Sequence, residues 1–199
     1  MGGGNQRLRG DVRRQQIIKA ALKVMSQQGY PKVTIRNVAE NAGIHFATLQ
    51  YYYKNKRELL QALFDYKLEE DSRALHLVMD DDRRPAKERF TTIINLVLAE
   101  NRRPVVIGYF LQLWALSNHN KAAAKNLDNY YDAYLGWIIE IITLVNPSLT
   151  IKEKKMRAHS ILALLEGLVP TYTRARKNRK PDKSFDQHLV NIIWQIATG

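Results

Sequence analysis

The segment Thr34–Leu60, TIRNVAENAGIHFATLQYYYKNKRELL, leaves the chain few choices. Thr34 can open a helix, because its hydroxyl can accept from an orphan amide one turn in. Ile35, Val38, Ala39 and Ala42 recur three or four apart and so share one face. Gly43 stands where a left-handed residue ends a helix and turns the chain. Ile44 and Leu49 then offer apolar groups back to that helix. The pattern predicts a helix, a tight turn, a second short helix, and a long third helix starting near Lys56. The second helix and its approach carry His45, Phe46, Thr48, Gln50, Tyr51 and Tyr52, with Lys54, Lys56 and Arg57 next. So short an amphipathic helix has little core of its own, so its polar and aromatic face needs another use. Gln can bond an adenine edge in two places, Thr can bond a base or touch a thymine methyl, and Lys and Tyr can hold phosphates.

The charge distribution points the same way. The formal net charge is +12, and residues 1–60 hold 11 Lys or Arg against 3 Asp or Glu, a surplus of +8. A basic excess gathered in under a third of the chain favours a nucleic-acid partner over a uniformly basic protein, with an anionic membrane surface the weaker option. No apolar run approaches the length of a membrane span and no signal-peptide pattern opens the chain. The absence of cysteine excludes disulfide and thiolate chemistry and suits a reducing cytoplasm.

At the quoted residues the chain resembles the TetR family of one-component repressors. That family's signature runs T-hydrophobic-x-x-hydrophobic-A-x-x-A-G-V-S-x-G-T-L-Y-x-Y-F-x-x-K-x-x-L. Here Thr34, Ile35, Val38, Ala39, Ala42, Gly43, Ile44, Thr48, Leu49, Tyr52, Lys56 and Leu59 match it. His45 replaces the usual small hydroxyl residue, Ala47 the usual Gly or Pro, Gln50 the usual Tyr, and Tyr53 the usual Phe. The resemblance covers roughly Arg14 to Leu63. Beyond that it is one of layout, nearest to the choline-responsive branch. It implies that Thr48, Gln50 and Tyr51 enter a major groove, with His45 and Phe46 at the helix start and Arg36 reaching in from the preceding helix. Tyr52 and Lys56 match the positions where the family grips the backbone.

The remaining chain reads as helix throughout, about nine helices in all, with no strand pattern and no internal repeat. Met1 to Gly10, with Arg7 and Arg9, reads as a flexible basic arm, either a solvated tail or a minor-groove arm. Residues 11–57 form the DNA-binding head and 58–199 a helical body for regulation and dimerisation. Asp11 can cap the first helix, which Gln28-Gly29 closes. The helix from Lys56 runs to about Met79 and is followed by the charged break 80–84. Helices follow from Pro85 to near Asn101, from Pro104 to Ser117, and from Lys121 to Val145. Thr150 and Glu153 have capping-box spacing and open a helix running towards Arg176 with a kink at Pro170. Ser184 and Gln187 repeat that spacing before the last helix.

No catalytic constellation emerges. The five His are scattered without metal-ligand spacing, and no phosphate-binding glycine loop is present, so no enzyme, cofactor or metal is expected. The body is notable for aromatics. Tyr109, Phe110 and Trp114 fall on one helix, Tyr130, Tyr131, Tyr134 and Trp137 on the next, and Tyr172 follows Pro170. Part of this set is ordinary core, but amphipathic aromatics between helices also line small-molecule pockets. Glu166 sits in an apolar run where a charge is costly unless paired or solvated. It is either the partner of an Arg or Lys or a carboxylate facing a cationic ligand. The candidate ligand residues are Tyr109, Trp114, Tyr134, Trp137, Glu166 and Tyr172. Leu164, Gly167 and Leu168 on one late helix and Leu189, Ile192, Ile193 and Ile196 on the last suit either packing on their own body or an isologous four-helix dimer interface.

The sequence therefore predicts an all-α homodimeric regulator that binds a two-fold-symmetric double-stranded operator and answers to a small-molecule effector. The alternative is a helical DNA-binding or nucleoid-associated protein without a ligand, whose body serves dimerisation alone.

Overall fold

The computed structural model describes the backbone of residues 3–171 and 183–199 and the side chains of residues 10–171 and 184–199. It is all-α among the described residues, with nine helices of seven residues or more and one four-residue turn of helix. In chain order these are α1 (Gly3–Gln28), α2 (Ile35–Ala42), α3 (Phe46–Tyr52), α4 (Lys56–Met79), α5 (Ala86–Glu100), α6 (Pro104–Ser117), α7 (Lys121–Val145), α8 (Ile151–Glu166), the short α9 (Leu168–Thr171) and α10 (Lys183–Thr198). None is long and apolar enough to cross a membrane.

The chain divides into two compact units, Met1–Glu69 and Glu70–Gly199. The division falls inside α4 rather than at its start. In the first unit α1 packs on α2, and α2 on α3. Ile17, Ala21, Val24, Met25, Val38, Leu49, Leu59 and Leu63 are buried in it. The helical periods expected for these segments therefore hold. Gln16 donates to the Ala42 carbonyl at 2.6 Å, which satisfies one of the orphan acceptors at the end of α2.

The backbone of α1 is helical from Gly3, inside the segment expected to be an arm, so Asp11 is interior to the helix rather than its cap. Once the buried turns nucleate a helix, each further residue adds a hydrogen bond for the residue it fixes. A single 3-10 turn, Tyr30–Lys32, links α1 to α2.

In the second unit α7 is central, packing against α5, α6 and α8, while α10 packs on α5, α7 and α8. Phe90, Ile93, Ile94, Leu98, Ile138, Ile142, Ile161, Leu165 and Ile193 form its core. Asn120 caps α7 by accepting from the Ala122 and Ala123 amides, each at 3.0 Å. Thr150 and Glu153 form the expected capping box. Asn101 is buried and donates to the Leu165 carbonyl at 3.0 Å, holding the end of α8.

Two expectations are corrected here. The helix from Thr150 does not run on to a kink at Pro170. It ends at Glu166 with Gly167 as its C-cap, and the separate turn α9 follows from Leu168; Arg176 lies outside the described residues. Proline has no amide to donate to the carbonyl four residues back, and its ring crowds that carbonyl; for Pro170 that residue is Glu166. Ser184 does not cap the last helix, because α10 already includes Lys183.

Candidate nucleic-acid interface and ligand site

The turn between α2 and α3 is built from short-range chemistry. The Thr34 hydroxyl accepts from the Asn37 amide at 3.1 Å. Gly43 ends α2 with φ 65° and ψ 35°, the left-handed conformation that a side chain would oppose. Leu49, fully buried, anchors α3. With one face of α3 held by Leu49, the residues opposite are turned outward. Phe46, Ala47, Gln50 and Tyr51 are all exposed, Tyr51 at 83% and Phe46 at 44%. At 3.6 residues per turn they span an arc of about 140°. Thr48, half-buried, borders that arc, and Tyr52, also half-buried, lies beyond it on the side of Leu49.

His45 precedes α3 and is exposed, and its side chain makes no capping bond. Arg36 is exposed on α2. The Arg14 guanidinium lies 5.7 Å from the centre of the Tyr52 ring. The candidate base-reading residues thus come together on one unit, chiefly on one helix face. Two exposed rings and an amide lie there, on a part of the chain with a strong positive surplus.

Lys56 has an occupation that the sequence did not suggest. Its ammonium donates to the Tyr30 carbonyl at 2.8 Å and sits 3.6 Å from the centre of the Tyr30 ring. Burial pushes its pKa below the ordinary lysine value. Lys56 therefore braces the start of α4 against the turn before α2. Lys54 and Arg57, beside it, are exposed. Asn55 accepts from the Glu58 amide at 3.0 Å, and Glu58 accepts from the Lys54 amide at 2.9 Å, so α4 starts on a local cap.

In the second unit the aromatics converge. Tyr130 packs against Phe110, Tyr131, Tyr134 and Trp137 with ring centres 5.1–6.5 Å apart. Tyr109 and Tyr134 are buried. The Trp114 indole N–H donates to the Tyr131 hydroxyl at 2.7 Å, and that hydroxyl donates to Glu166 Oε2 at 2.9 Å. Among the described residues Tyr131 is the partner of the Glu166 carboxylate, and neither an Arg nor a Lys pairs with it. Burial raises the Glu166 pKa above its ordinary value, and the bond from Tyr131 pulls it back only in part. Burial and then the Glu166 carboxylate hold the Tyr131 phenol far above the usual tyrosine range. Of the expected ligand residues, Trp114 and Glu166 are joined through Tyr131, while Tyr134 and Trp137 contact one another and Tyr130. Tyr109 packs edge-on against Phe110, and Tyr172 lies outside the described residues. Tyr131 itself escaped selection, because nothing in the sequence says which tyrosine of the run links the other two.

Tyr130 donates to Asp71 at 3.0 Å. Glu70, Asp71 and Glu100 bring carboxylate oxygens within 4.8 Å of one another, and Glu100 also accepts from Arg103 at 2.8 Å.

The interface residues divide. Leu168, Leu189 and Ile193 are buried in the second unit, Ile193 completely. These three therefore pack within their own body, which leaves the less buried members of the expected set as the side chains available to a second subunit. Ile192 and Ile196 are half-buried, and Leu164 and Gly167 are exposed. With Met156, Ser160 and Ala163, the latter two form an exposed and mainly apolar face of α8 and its C-cap, with small residues at Ser160, Ala163 and Gly167.

Residues 17–63 match the family model of the bacterial regulatory proteins of the tetR family. Over most of its length the chain is similar to a nucleoid occlusion factor, SlmA, of Vibrio campbellii. The two are 21% identical over 189 residues, covering 92% of this chain and 95% of the relative. A TetR transcription regulator from Haloarcula marismortui shares the fold with TM-score 0.73 at 19% identity, over 94% of this chain and 97% of that one. A putative transcriptional regulator from Saccharomonospora viridis, solved in complex with choline, does so with TM-score 0.73 at 20% identity, over 91% and 95%.

Proposed function

We propose that this chain, TetR-family by its N-terminal domain and its fold, is a cytoplasmic transcriptional repressor that binds a two-fold-symmetric operator as a homodimer and is released by a small cationic effector. The observation that carries the DNA-binding part is the outward face of α3, where Gln50 and two exposed rings stand on the basic unit, with Arg36 exposed on α2 of the same unit. Exposed rings cost little when a groove covers them, and a glutamine amide has a two-point partner in adenine. Two heads can occupy successive major grooves only if a dimer axis relates them. The exposed face of α8 around Met156, Ala163 and Gly167 is the surface for that association, because small residues let two helices approach closely.

The effector reading rests on Glu166. A half-buried carboxylate with a phenol as its described partner is short of positive charge; the Tyr131 hydroxyl that bonds it also accepts from Trp114, and the Tyr130 ring packs on that of Tyr131, so aromatic groups of the kind that attract cations stand close by. A quaternary ammonium such as choline, which the Saccharomonospora relative holds, has the required chemistry. For release, the ligand must favour one of two dimer states over the other. α4 belongs to both units and so can carry that preference.

A second reading is favoured by the relatives named as nucleoid occlusion factors: DNA binding without a ligand, with the body serving dimerisation alone. One experiment separates the two. The purified chain is incubated with genomic fragments, the retained DNA is sequenced, and release is titrated with choline and with its uncharged isostere 3,3-dimethylbutanol. The repressor reading expects a few sites, released by the cation and not by the isostere. Retained sites indifferent to either compound would establish the second reading. No retained DNA at low salt would end both.

A further inference from the structure

We propose that α3 reads its site through thymine methyl groups, with one adenine fixed by Gln50, so that the base pairs beneath this helix are A·T rather than G·C. The inference rests on the DNA-binding function proposed above and specifies its target. Its basis is what the exposed face of α3 contains and what it lacks. Phe46, Ala47 and Tyr51 present apolar carbon to solvent, Tyr51 at 83% exposure and Phe46 at 44%. Gln50 is the single amide among them. No Lys or Arg occurs between Phe46 and Tyr52.

In the major groove a guanine is recognised chiefly by two donors aimed at its O6 and N7, a task for Arg or Lys. The exposed arc of α3 has no such pair of charged donors. A cytosine offers an amino donor that wants a carboxylate, and α3 has none. Thymine alone projects a methyl group into the groove, and adenine alone presents the donor–acceptor pair that a glutamine amide matches at both ends. The three apolar residues flank Gln50 on one arc, so methyl contacts and the amide contact fall on neighbouring base pairs. Leu49 is fully buried and Thr48 half-buried, so this arc is the surface that α3 can turn towards a groove. Arg36, on α2, is free of this restriction and can take a guanine outside the stretch that α3 covers.

The test uses the full chain and needs no variant at its first step. A duplex is selected from a random library, and each thymine of the half-site is then replaced singly by uracil. Uracil keeps every hydrogen-bonding group and loses only the methyl. Covering one methyl group is worth about fourfold in affinity, so a loss of about that size is expected at two or more positions. Phe46→Ala, at an exposed position, should abolish the uracil penalty at one of them, and Gln50→Ala should relax preference at an adjacent adenine. Uracil accepted without loss at every position, or a G·C core under α3 in the selected sites, would overturn the methyl reading while leaving the DNA-binding function intact. Failure to retain any duplex at low salt would overturn both.

Discussion

Replacing Tyr131 with Phe isolates the hydroxyl that joins Trp114 to Glu166. Two bonds disappear, the donation from the indole at 2.7 Å and the donation to the carboxylate at 2.9 Å. The first is a neutral bond, worth about 0.5–1.5 kcal/mol net, and the second, to a charged acceptor, about 1.5–3 kcal/mol. Together they predict a loss of about 2–4.5 kcal/mol, a large share of the roughly 5–15 kcal/mol that holds a domain folded. The loss should also depend on pH. Glu166 has a folded-state pKa above its unfolded one. Its favourable contribution is therefore fully present below the unfolded value and is lost as pH rises through the folded value. The bond from Tyr131 favours the ionised form, so deleting it raises the folded value further and deepens the loss on the alkaline side. Urea unfolding followed by tryptophan fluorescence should show a small gap between variant and wild type at about pH 4 and a wider one at about pH 8. An equal gap between variant and wild type at both pH values would show that the hydroxyl does not bond an ionised Glu166, and the effector reading would lose its electrostatic basis.

Glu166→Gln removes the half-buried charge and keeps an acceptor for Tyr131, so it should raise the urea midpoint near pH 8 and abolish release by choline; an unchanged choline response refutes a role for the carboxylate. Lys56→Ala should lower stability by about 1–2 kcal/mol through loss of the Tyr30 contacts and reduce the magnitude of the salt slope of DNA binding by about one, whereas lost stability with an unchanged slope would reduce Lys56 to a brace. Leu164→Arg, at an exposed position of α8, should give a folded monomer by light scattering and circular dichroism, and a persistent dimer would move the interface elsewhere. Ile193→Glu, by contrast, should unfold the second unit because Ile193 is fully buried.

What was legible in the sequence was local. Thr34 and Gly43 could be placed because a cap and a left-handed turn depend on residues within a few positions, and the capping box at Thr150 likewise. The exposed face of α3 followed from one buried leucine and helical spacing. Long-range occupations were not legible. Lys56 meets a carbonyl 26 positions away, and Tyr131 takes its place between Trp114 and Glu166 only through the packing of α6, α7 and α8. The apolar stripe of α10 could not say whether its own body or a second subunit covers it, since both bury the same residues. Pro170 signalled a break, but proline acts on the carbonyl four residues back, which moved the break to Glu166.

Fluorescence anisotropy of the wild-type chain and Gln50→Ala, on a selected duplex and on a random duplex of the same length, tests the central claim most directly. The account predicts a loss of about 1–3 kcal/mol on the selected duplex with binding to the random duplex unchanged. An equal loss on both, or no loss on either, would contradict the claim that the outward face of α3 reads the sequence of DNA.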